Sequence, residues 1–532
     1  MSQHQQDPGY HGVEEDVKQL HSMGYAQELS RRMGGFSNFA ISFSIICILA
    51  GGITSFQLGF SAAGGASIGL GWPLSCAFSL IVAAAMGQIA SAYPTAGGLY
   101  HWASILGGRG FGWSVAWFNM LGLIFVVSSV DVGLWQILFV PLILQNYLGV
   151  DPSHFIPDLS KPFFEQIGTS AYWVQALGIS VILASQALFN HIGIRATTIL
   201  TDFSGYLIFV VAIVLTLAMI VAAPGIDISR LFTFTNNTGD PGGGIWPQNS
   251  SLLMAFMLGL LLPAYTVTGF DASAHTSEET RQAAVNVPKG MMRSVFWSFL
   301  FGYVMICSFV LAMPSVADGA KQGGAVFFWL MGGLGIPDAL KAFLYIGIVI
   351  SNYLCALAGM TSLSRMVFAF ARDGGFPASD WLRRVSPVHR TPVNAIWIGA
   401  VLALISTLYT PQFWTLASGC AIFLYISYAA PIGAGFFAEG KTWTKKGPFQ
   451  LGPLSKPFAV IAVVGALILF YIGVQPPLDA LLTYTGVLLL VMAVLWFGLA
   501  RKRFPGPPIG DLIAKRQAEI AAAEKALGGA AE

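Results

Sequence analysis

Two apolar stretches of the sequence carry residues that interrupt a helix and expose its backbone. Residues 47–56 read CILAGGITSF, and residues 257–271 read MLGLLLPAYTVTGFD. A glycine costs about 1 kcal/mol of helix propensity relative to alanine, and a proline removes a backbone donor and clashes with the preceding turn. At such an interruption, unpaired N–H groups attract an anion and freed carbonyl groups attract a cation. The chemistry predicted for these stretches is therefore the binding of a small charged solute by the backbone.

An acidic residue inside a third apolar stretch is a further candidate for chemistry. Asp131 lies in VVSSVDVGLWQ, near the middle of the apolar run 113–147. An ionisable residue at such a depth is a functional candidate by default, and no Lys or Arg is predicted at a matching depth to pair with it. Three interpretations stay open: Asp131 pairs with the cationic end of a solute, it carries a proton or locks a helix, or it is neutral and bonds to Ser128 or Ser129.

The elements that must position these residues follow from the composition. Of 532 residues, 55% are hydrophobic and only 10% are charged, with a mean hydropathy of +0.68, whereas a soluble domain carries about 25% charged residues. A bilayer requires about 20 apolar residues per helix. The sequence therefore predicts an all-α multi-span membrane protein with twelve transmembrane helices, at 39–58, 72–92, 113–147, 171–190, 202–223, 252–274, 294–313, 338–371, 393–409, 412–436, 457–474 and 480–500. The tight turn at 409–412 and the glycine-rich run 323–336 leave counts of eleven and thirteen open.

Charge in the loops predicts the orientation of these helices. The polar start of the chain lacks the basic region and apolar core of a secretory signal, so residues 1–38 are predicted to be a cytoplasmic tail. With twelve helices, only Lys161, Arg230, Lys321 and Lys341 of the 27 Lys and Arg residues fall on the outer side. The positive-inside rule then favours a multi-pass protein of the plasma membrane with both termini in the cytoplasm.

The two interrupted helices are the first and the sixth, which predicts an inverted repeat. Interruptions at corresponding positions of two halves are the sequence signature of a transporter binding site, although glycines in membrane helices also serve close helix packing. The domains predicted on this basis are a first five-helix repeat at 39–223, a second at 252–436, two peripheral helices at 457–500 and a cytoplasmic tail at 501–532.

Several classes of protein are disfavoured by the distribution of polar residues. The five cysteines all fall in predicted helices, and none of the eight histidines shows a metal-ligand spacing with another, so neither a disulfide framework nor a metal site is predicted. The net charge of +2 is spread over short loops, which disfavours a nucleic-acid partner. No cofactor and no enzymatic activity are predicted, and the oligomeric state is left open.

Four motifs in order along the chain carry a resemblance to a known family. They are LHSMGYAQELSRRMGGFSNFAISFSIICILAGGITSF near the start, YPTAGGLYHWASILGG at 93–108, TGFDASAHTSEETRQAAVNVPKG at 268–290 and ARDGGFP at 371–377. The chain resembles the amino acid–polyamine–organocation superfamily, and within it the GABA-permease-like amino acid/choline transporter branch. The resemblance implies a LeuT-like 5+5 inverted repeat with discontinuous helices 1 and 6, two peripheral helices and alternating access.

The resemblance also implies a substrate site at the two interruptions. The break of the first helix corresponds to Gly51, Gly52, Ile53 and Thr54. In the sixth helix the gating aromatic corresponds to Tyr265, flanked by Ala264 and Thr266, and the family glycine to Gly269. Many members have a glutamate where this chain has Asp271, and the eighth helix contributes Cys355 and Gly359, the latter leaving space beside the substrate.

An ion gradient is the predicted source of energy, because the chain shows no nucleotide-binding loop. The oxygen ligands proposed for sodium are Ser351, Asn352, Thr361 and Ser362, while Asp131 and Asp271 are the groups proposed for a proton. The predicted function is ion symport of an amino acid or a GABA-like small zwitterion. Carriers of choline, whose ammonium prefers an aromatic cage, or of a polyamine are the alternatives, and a channel or a membrane sensor lacks its expected motifs.

Two further segments receive weaker predictions. The loops HTSEETRQAAVNVPKG and RDGGFPASDWLRRVSPVHRTP mix acids and bases on the predicted inner side, so their charges either close an inner gate or act as solvated anchors. The end of the chain, IGDLIAKRQAEIAAAEKALGGAAE, predicts a short surface helix without an assignable role.

Overall fold

A computed structural model describes residues 8–238, 245–410 and 412–527. Within these ranges ten helices are long and apolar enough to cross a membrane, by length and composition. Three shorter apolar helices, Leu252–Thr266, Gly323–Gly333 and Val393–Tyr409, lie between them. The predicted multi-span, all-helical membrane protein is confirmed. The count of twelve stays a prediction, because the helices at the sixth and ninth positions are short.

We name the apolar helical stretches span 1 to span 12 in chain order. Span 1 consists of Gly35–Ile46, Ile48–Thr54 and Phe56–Ala63, and span 6 of Leu252–Gly259, Leu261–Thr266 and Ala272–His275. The others are Ser67–Ala92, Arg109–Leu148, Ser170–His191, Ile194–Ala222, Ala283–Ala312, Asp338–Arg372, Val393–Tyr409, Phe413–Ala438, Gly452–Gly473 and Ala480–Arg503. Shorter helices outside the spans are Pro8–Ser22, Gly98–Gly107, Phe163–Ile167, Val316–Ala320, Val326–Gly333, Ser379–Leu382, Asp511–Lys515 and Gln517–Ala526.

Span 1 is interrupted at Cys47 and again at Ser55, on either side of the predicted glycines. Cys47 has a φ of 27°, in the left-handed region, and separates the first helical piece from the second. The predicted break at Gly51 and Gly52 is wrong, because both glycines lie inside the helix Ile48–Thr54. Gly51 instead permits close packing, since a Cβ there would lie 2.9 Å from the backbone Cα of Thr266.

Span 6 is interrupted around Gly269, as the sequence predicts, but not at Pro263 of the same stretch, which lies inside the helix Leu261–Thr266. Its helix ends at Thr266, and the chain then runs without helical structure until the short helix Ala272–His275. Gly269 has a φ of 82°, and a Cβ there would lie 2.1 Å from a side-chain carbon of Ile45. A glycine is therefore required both by the backbone conformation and by the space.

Packing between spans places the first, third, sixth, eighth and tenth around one centre. Span 3 packs against spans 8, 9 and 10, while span 8 packs against spans 3, 4 and 5. Span 7 covers spans 1 and 2. In the most apolar stretch of span 1, 89% of the residues are buried, whereas in that of span 12 only 17% are buried. The last span therefore lies at the periphery and faces lipid.

Candidate substrate site

A small cavity lies at the centre, where the interruptions of spans 1 and 6 meet. Its volume is about 20 Å³, which is room for about one water molecule. The residues that line it come from spans 1, 3, 6, 8 and 10. They are Ile45, Ile46, Ala50, Gly51, Val126, Val130, Tyr265, Thr266, Thr268, Cys355 and Cys420.

The lining contains some of the predicted substrate residues and omits others. Those that line the cavity are Gly51, Tyr265, Thr266 and Cys355. Those that do not are Gly52, Ile53, Thr54, Asp131, Ala264, Gly269 and Gly359. Sequence reasoning missed the apolar positions, because a valine or isoleucine in a span carries no signal that distinguishes a cavity wall from ordinary packing.

Backbone groups of span 1 remain candidates for binding a charged solute. The helix that begins at Ile48 leaves the N–H groups of its first turn without acceptors in that helix, and no side chain caps them. Ala50, in this turn, reaches the cavity. In span 6 the carbonyls of Val267 and Phe270 already accept hydrogen bonds, from the hydroxyls of Tyr425 at 2.9 Å and Ser42 at 2.8 Å.

On the predicted outer side, two aromatic rings separate the cavity from a vestibule. Tyr265 lines the cavity, and its ring packs edge to face against Phe413 with 5.8 Å between centroids. The Tyr265 hydroxyl lies 3.1 Å from Ser129 Oγ, which holds the ring in place. Phe413 in turn lines an open vestibule of about 1060 Å³ whose wall includes Asp338 and Lys341. The two rings therefore form a thin outer gate.

On the predicted inner side, two buried ion pairs join span 8 to the loop that follows span 6. Arg365 of span 8 donates two hydrogen bonds of 2.9 Å to Glu279, and both side chains are fully buried. Arg372, two helical turns further on, donates to both oxygens of Glu278 at 2.9 and 2.8 Å. The guanidinium of Arg372 also lies 4.0 Å above the ring of Tyr25. Of the two roles predicted for the charges of these loops, a salt link agrees with the positions of Glu278, Glu279 and Arg372, whereas Arg383 and Asp380 are largely exposed.

The segment that precedes span 1 contacts the same loop and the end of span 8. Met33 exchanges backbone hydrogen bonds of 2.8 and 2.9 Å with Glu279 and Arg281. The hydroxyl of Tyr25 donates to Asp373 Oδ2 at 2.7 Å, and the hydroxyl of Tyr100 to the same oxygen at 3.0 Å. We call segment 23–33, loop 276–281 and the end of span 8, residues 365–373, the inner plug.

Glu278 and Asp373, two of the acids of the inner plug, have pKa values that are shifted in opposite directions. Burial favours the neutral form of Glu278, but the charge and hydrogen bonds of Arg372 outweigh it and hold the pKa of Glu278 below its ordinary value. Burial raises the pKa of Asp373, against the opposing effects of Arg372 and Tyr25. Relative to an ordinary carboxyl, the pKa of Glu278 is therefore lowered and that of Asp373 is raised.

Asp271 joins three spans between the cavity and the inner plug. It accepts hydrogen bonds from Tyr428 at 2.8 Å and Asn119 at 3.1 Å, and lies 3.2 Å from His275 Nε2. The other ring nitrogen of His275 lies 3.1 Å from the carbonyl of Ala96. Sequence reasoning selected Asp271 but missed His275, although the spacing of four residues on a helix is a signal for such a pair.

Asp131 is fully buried and lies outside the cavity lining. Gln186 of span 4 donates to its Oδ1 at 2.8 Å, and its Oδ2 has no hydrogen-bond partner among the described residues. The bond from Ser128 or Ser129, one of the three interpretations left open for Asp131, is not found among the described residues, because those hydroxyls contact Ile124, Ala403, Val126 and Tyr265. Asp131 thus faces span 4 rather than the cavity.

The four oxygen-bearing residues proposed for sodium do not converge on span 1. Asn352 donates to the carbonyl of Val130 at 2.9 Å, and Thr361 to Asn190 at 2.8 Å. Ser362 lies 3.4 Å from the carbonyl of Ala358 in its own helix, and the Ser351 hydroxyl has no partner among the described residues. Two thiols occupy the contact between spans 1 and 8: Cys355 donates to the carbonyl of Ile45 at 3.0 Å, and Cys47 to that of Ser351 at 3.7 Å.

Interrupted spans around a central cavity are the architecture of a membrane transport protein for small solutes. The family can also be stated. Residues 33–498 match the amino acid permease family, and the chain belongs to it. The resemblance found in the motifs is thereby confirmed.

Relatives over nearly the whole chain agree with this assignment. The chain is 34% identical over 520 residues to amino-acid permease BAT1 of Arabidopsis thaliana, covering 92% of this chain and 95% of that protein. It is 32% identical over 513 residues to the BAT1 homolog of Oryza sativa subsp. japonica, covering 92% and 94%. It is 25% identical over 523 residues to amino-acid permease 2 of Neurospora crassa, covering 94% and 90%. The relatives point to a transporter of amino acids rather than to an enzyme.

Proposed function

We propose that the protein imports a small neutral amino acid across the plasma membrane, by alternating access and proton symport, with both termini in the cytoplasm. The observation that carries the proposal is the character of the central cavity. None of its lining residues carries a charge, and Tyr265 is the one aromatic ring among them. Such a lining suits an aliphatic or small side chain, while the two charges of a zwitterion fall to backbone groups at the interruptions.

The same lining argues against the two alternative substrates. A quaternary ammonium such as choline binds best within several aromatic rings, and a polyamine requires acidic partners for each ammonium group. A GABA-like substrate with its ammonium at Asp131 is also disfavoured, because Asp131 lies outside the lining and is bonded to Gln186.

Alternating access is supported by the arrangement of gates and by the packing of the spans. The cavity of about 20 Å³ is too small for an amino acid, so one gate must open to admit the substrate. Under the proposed 5+5 repeat, spans 3, 4 and 5 correspond to spans 8, 9 and 10. The contact of span 3 with span 10 then corresponds to that of span 8 with span 5, and both contacts occur.

Proton coupling is favoured over sodium coupling by the groups beside the cavity. Sodium prefers oxygen ligands, but the thiols of Cys47 and Cys355 take the carbonyl groups between spans 1 and 8. Asp271 and His275 lie in contact between the cavity and the inner plug, where a proton can pass from one to the other. Asp131 is a second candidate, because a buried carboxylate with one neutral donor is stable only with a proton or a cation.

Uptake into proteoliposomes tests the proposal. We expect unlabelled alanine or glycine inside the vesicles to accelerate uptake of the labelled compound, and an inward proton gradient to drive accumulation without sodium. A panel with GABA, choline and putrescine separates the alternatives. Exchange of choline or putrescine but of no amino acid, or a strict need for sodium, would overturn the proposal.

A further inference from the structure

The C-terminal segment folds back onto the inner plug. We call residues 504–527 the C-terminal strap. Phe504, its first residue, is 1% exposed. The Phe504 ring lies 5.8 Å from that of Phe370 in span 8 and 6.3 Å from that of Tyr100 in the helix Gly98–Gly107. The strap is therefore anchored beside the residues that close the predicted inner face.

The far end of the C-terminal strap contacts the segment before span 1. Glu524 Oε1 lies 2.7 Å from His21 Nε2 and accepts a hydrogen bond of 2.9 Å from the backbone N–H of Gln27. Earlier in the strap, Pro508 packs so closely on Gly24 that a Cβ there would lie 2.7 Å from Pro508 Cγ. Both halves of the strap thus hold the same segment.

The C-terminal strap also contacts the region after span 8. Arg516 Nη1 lies 3.5 Å from Asp373 Oδ1, while the other oxygen of Asp373 accepts from Tyr25. Arg390, in the loop that leads to span 9, donates to the carbonyl of Leu527. The strap therefore ties the segment before span 1 to the end of span 8, and these are two of the three parts of the inner plug.

We propose that the C-terminal strap is an autoinhibitory latch that holds the inner plug closed and limits the rate at which the carrier opens inward. For a substrate to leave on that side, segment 23–33 must separate from loop 276–281 and from span 8. Glu524 and Arg516 hold the two separating parts, so their contacts must break first. The proposal uses the inward opening of the proposed transport cycle but not the identity of the substrate or the coupling ion.

Two variants with a matched control test the latch. Glu524→Gln and Arg516→Gln weaken the contacts of the strap with the segment before span 1 and with Asp373. Glu519→Gln makes the same charge change as Glu524→Gln on an exposed position of the same helix. In the full-length protein, the first measurement is amide hydrogen exchange of Met33 and Arg281, whose N–H groups donate to Glu279 and Met33 across the inner plug rather than to the strap, so it reports opening of the plug without any transport. The second is the rate of amino acid counterflow.

We expect Glu524→Gln and Arg516→Gln to speed both measurements about fivefold, equivalent to about 1 kcal/mol, and Glu519→Gln to leave both unchanged. A chain ending at Ile509, which keeps the Phe504 anchor, should show the largest increase in amide exchange and in counterflow. It serves as a second test of the latch in case a single substitution misfolds. Unchanged or slower amide exchange in Glu524→Gln and in the shortened chain would overturn the latch. If the unaltered protein transports no amino acid, the proposed function is wrong, but the amide hydrogen exchange still tests the latch.

Discussion

At the scale of single residues, the neighbouring glycines of span 1 have different surroundings. A Cβ on Gly51 would lie 2.9 Å from the backbone of Thr266, whereas a Cβ on Gly52 would lie 3.2 Å from the flexible tip of Met305 and at an ordinary contact distance of 3.6 Å from Ile306. A backbone atom cannot give way as a methionine methyl group can. The two positions therefore form a matched pair for mutation.

We expect Gly51→Ala to lower amino acid uptake at least tenfold, because spans 1 and 6 must separate to admit the new methyl group and the cavity loses its shape. Tenfold corresponds to about 1.4 kcal/mol. Gly52→Ala should retain about half of the uptake or more, because a flexible methionine tip can accommodate small overpacking. Equal uptake by the two variants, at equal amounts of folded protein, would contradict this account of span 1.

The ring of Tyr265 separates the cavity from the vestibule, and its hydroxyl holds the ring in position through Ser129. We expect Tyr265→Ala to abolish concentrative uptake, because the cavity then opens to the vestibule, while Tyr265→Phe keeps the packing on Phe413 and loses only the bond to Ser129. A single neutral hydrogen bond contributes about 1 kcal/mol, so Tyr265→Phe should change KM by about fivefold or less. A Tyr265→Phe variant as inactive as Tyr265→Ala would assign the hydroxyl, not the ring, the main role.

The acid in span 6 provides a test of coupling that is separate from binding. We expect Asp271→Asn to retain counterflow but to lose at least tenfold in accumulation driven by a proton gradient, because the amide cannot carry the proton. Asp131→Asn should lower the same accumulation if Asp131 is also protonated during transport. Asp202→Asn is the control, since Asp202 is a hydrogen-bonded acid of span 5, bonded to Ser37 at 2.9 Å. Proton-driven accumulation that survives in Asp271→Asn would remove that residue from the coupling mechanism.

At the scale of elements, the ion pair between loop 276–281 and span 8 determines how firmly the inner plug closes. Arg365 and Glu279 are fully buried, whereas Lys321 and Asp318 form a pair whose side chains are 66% and 58% exposed. Removing one partner of a buried pair costs about 3–5 kcal/mol, because the other charge is left uncompensated. An exposed pair contributes about 0–1 kcal/mol.

We therefore expect Glu279→Gln to lower the Tm of the purified protein by several degrees and Asp318→Asn to leave it unchanged. The double variant Glu279→Gln with Arg365→Gln should recover part of the lost Tm, because neither charge of this pair is then left buried without its partner. A thermal melt in detergent measures all three proteins. A Tm of Glu279→Gln equal to that of the unaltered protein would mean that water reaches this pair.

Sequence reasoning was accurate for elements and less so for their irregularities. Apolar length alone located the ten long helices and the shorter ones at the sixth and ninth positions. Gly269 marked the interruption of span 6 because a glycine adopts a positive φ without strain. The interruption at Cys47 could not be predicted, since a cysteine has no preference for a φ of 27° and tertiary packing imposes that conformation. The ion pair between Arg365 and Glu279 could not be predicted either, because the two residues are 86 positions apart in sequence and only the fold brings them together.

At the scale of the whole molecule, the gates on the two sides are of different chemistry. The predicted outer side is closed by two rings and one hydroxyl contact, and the predicted inner side by charge-assisted hydrogen bonds, a backbone bridge and the C-terminal strap. Aromatic contacts of this kind contribute about 0.5–1.5 kcal/mol each, less than a buried ion pair loses on disruption. The resting carrier is therefore expected to favour opening toward the outer side, where substrate arrives.

The spacing of the plug's charges has a consequence for leakage. Two consecutive glutamates hold two arginines that are seven residues, or about 10 Å, apart on one rigid helix. A small displacement of the loop stretches both sets of hydrogen bonds together, so neither can loosen while the other stays intact. The inner plug therefore opens as a single unit. A partly opened plug would leak ions and dissipate a proton gradient, and the paired arrangement prevents that state.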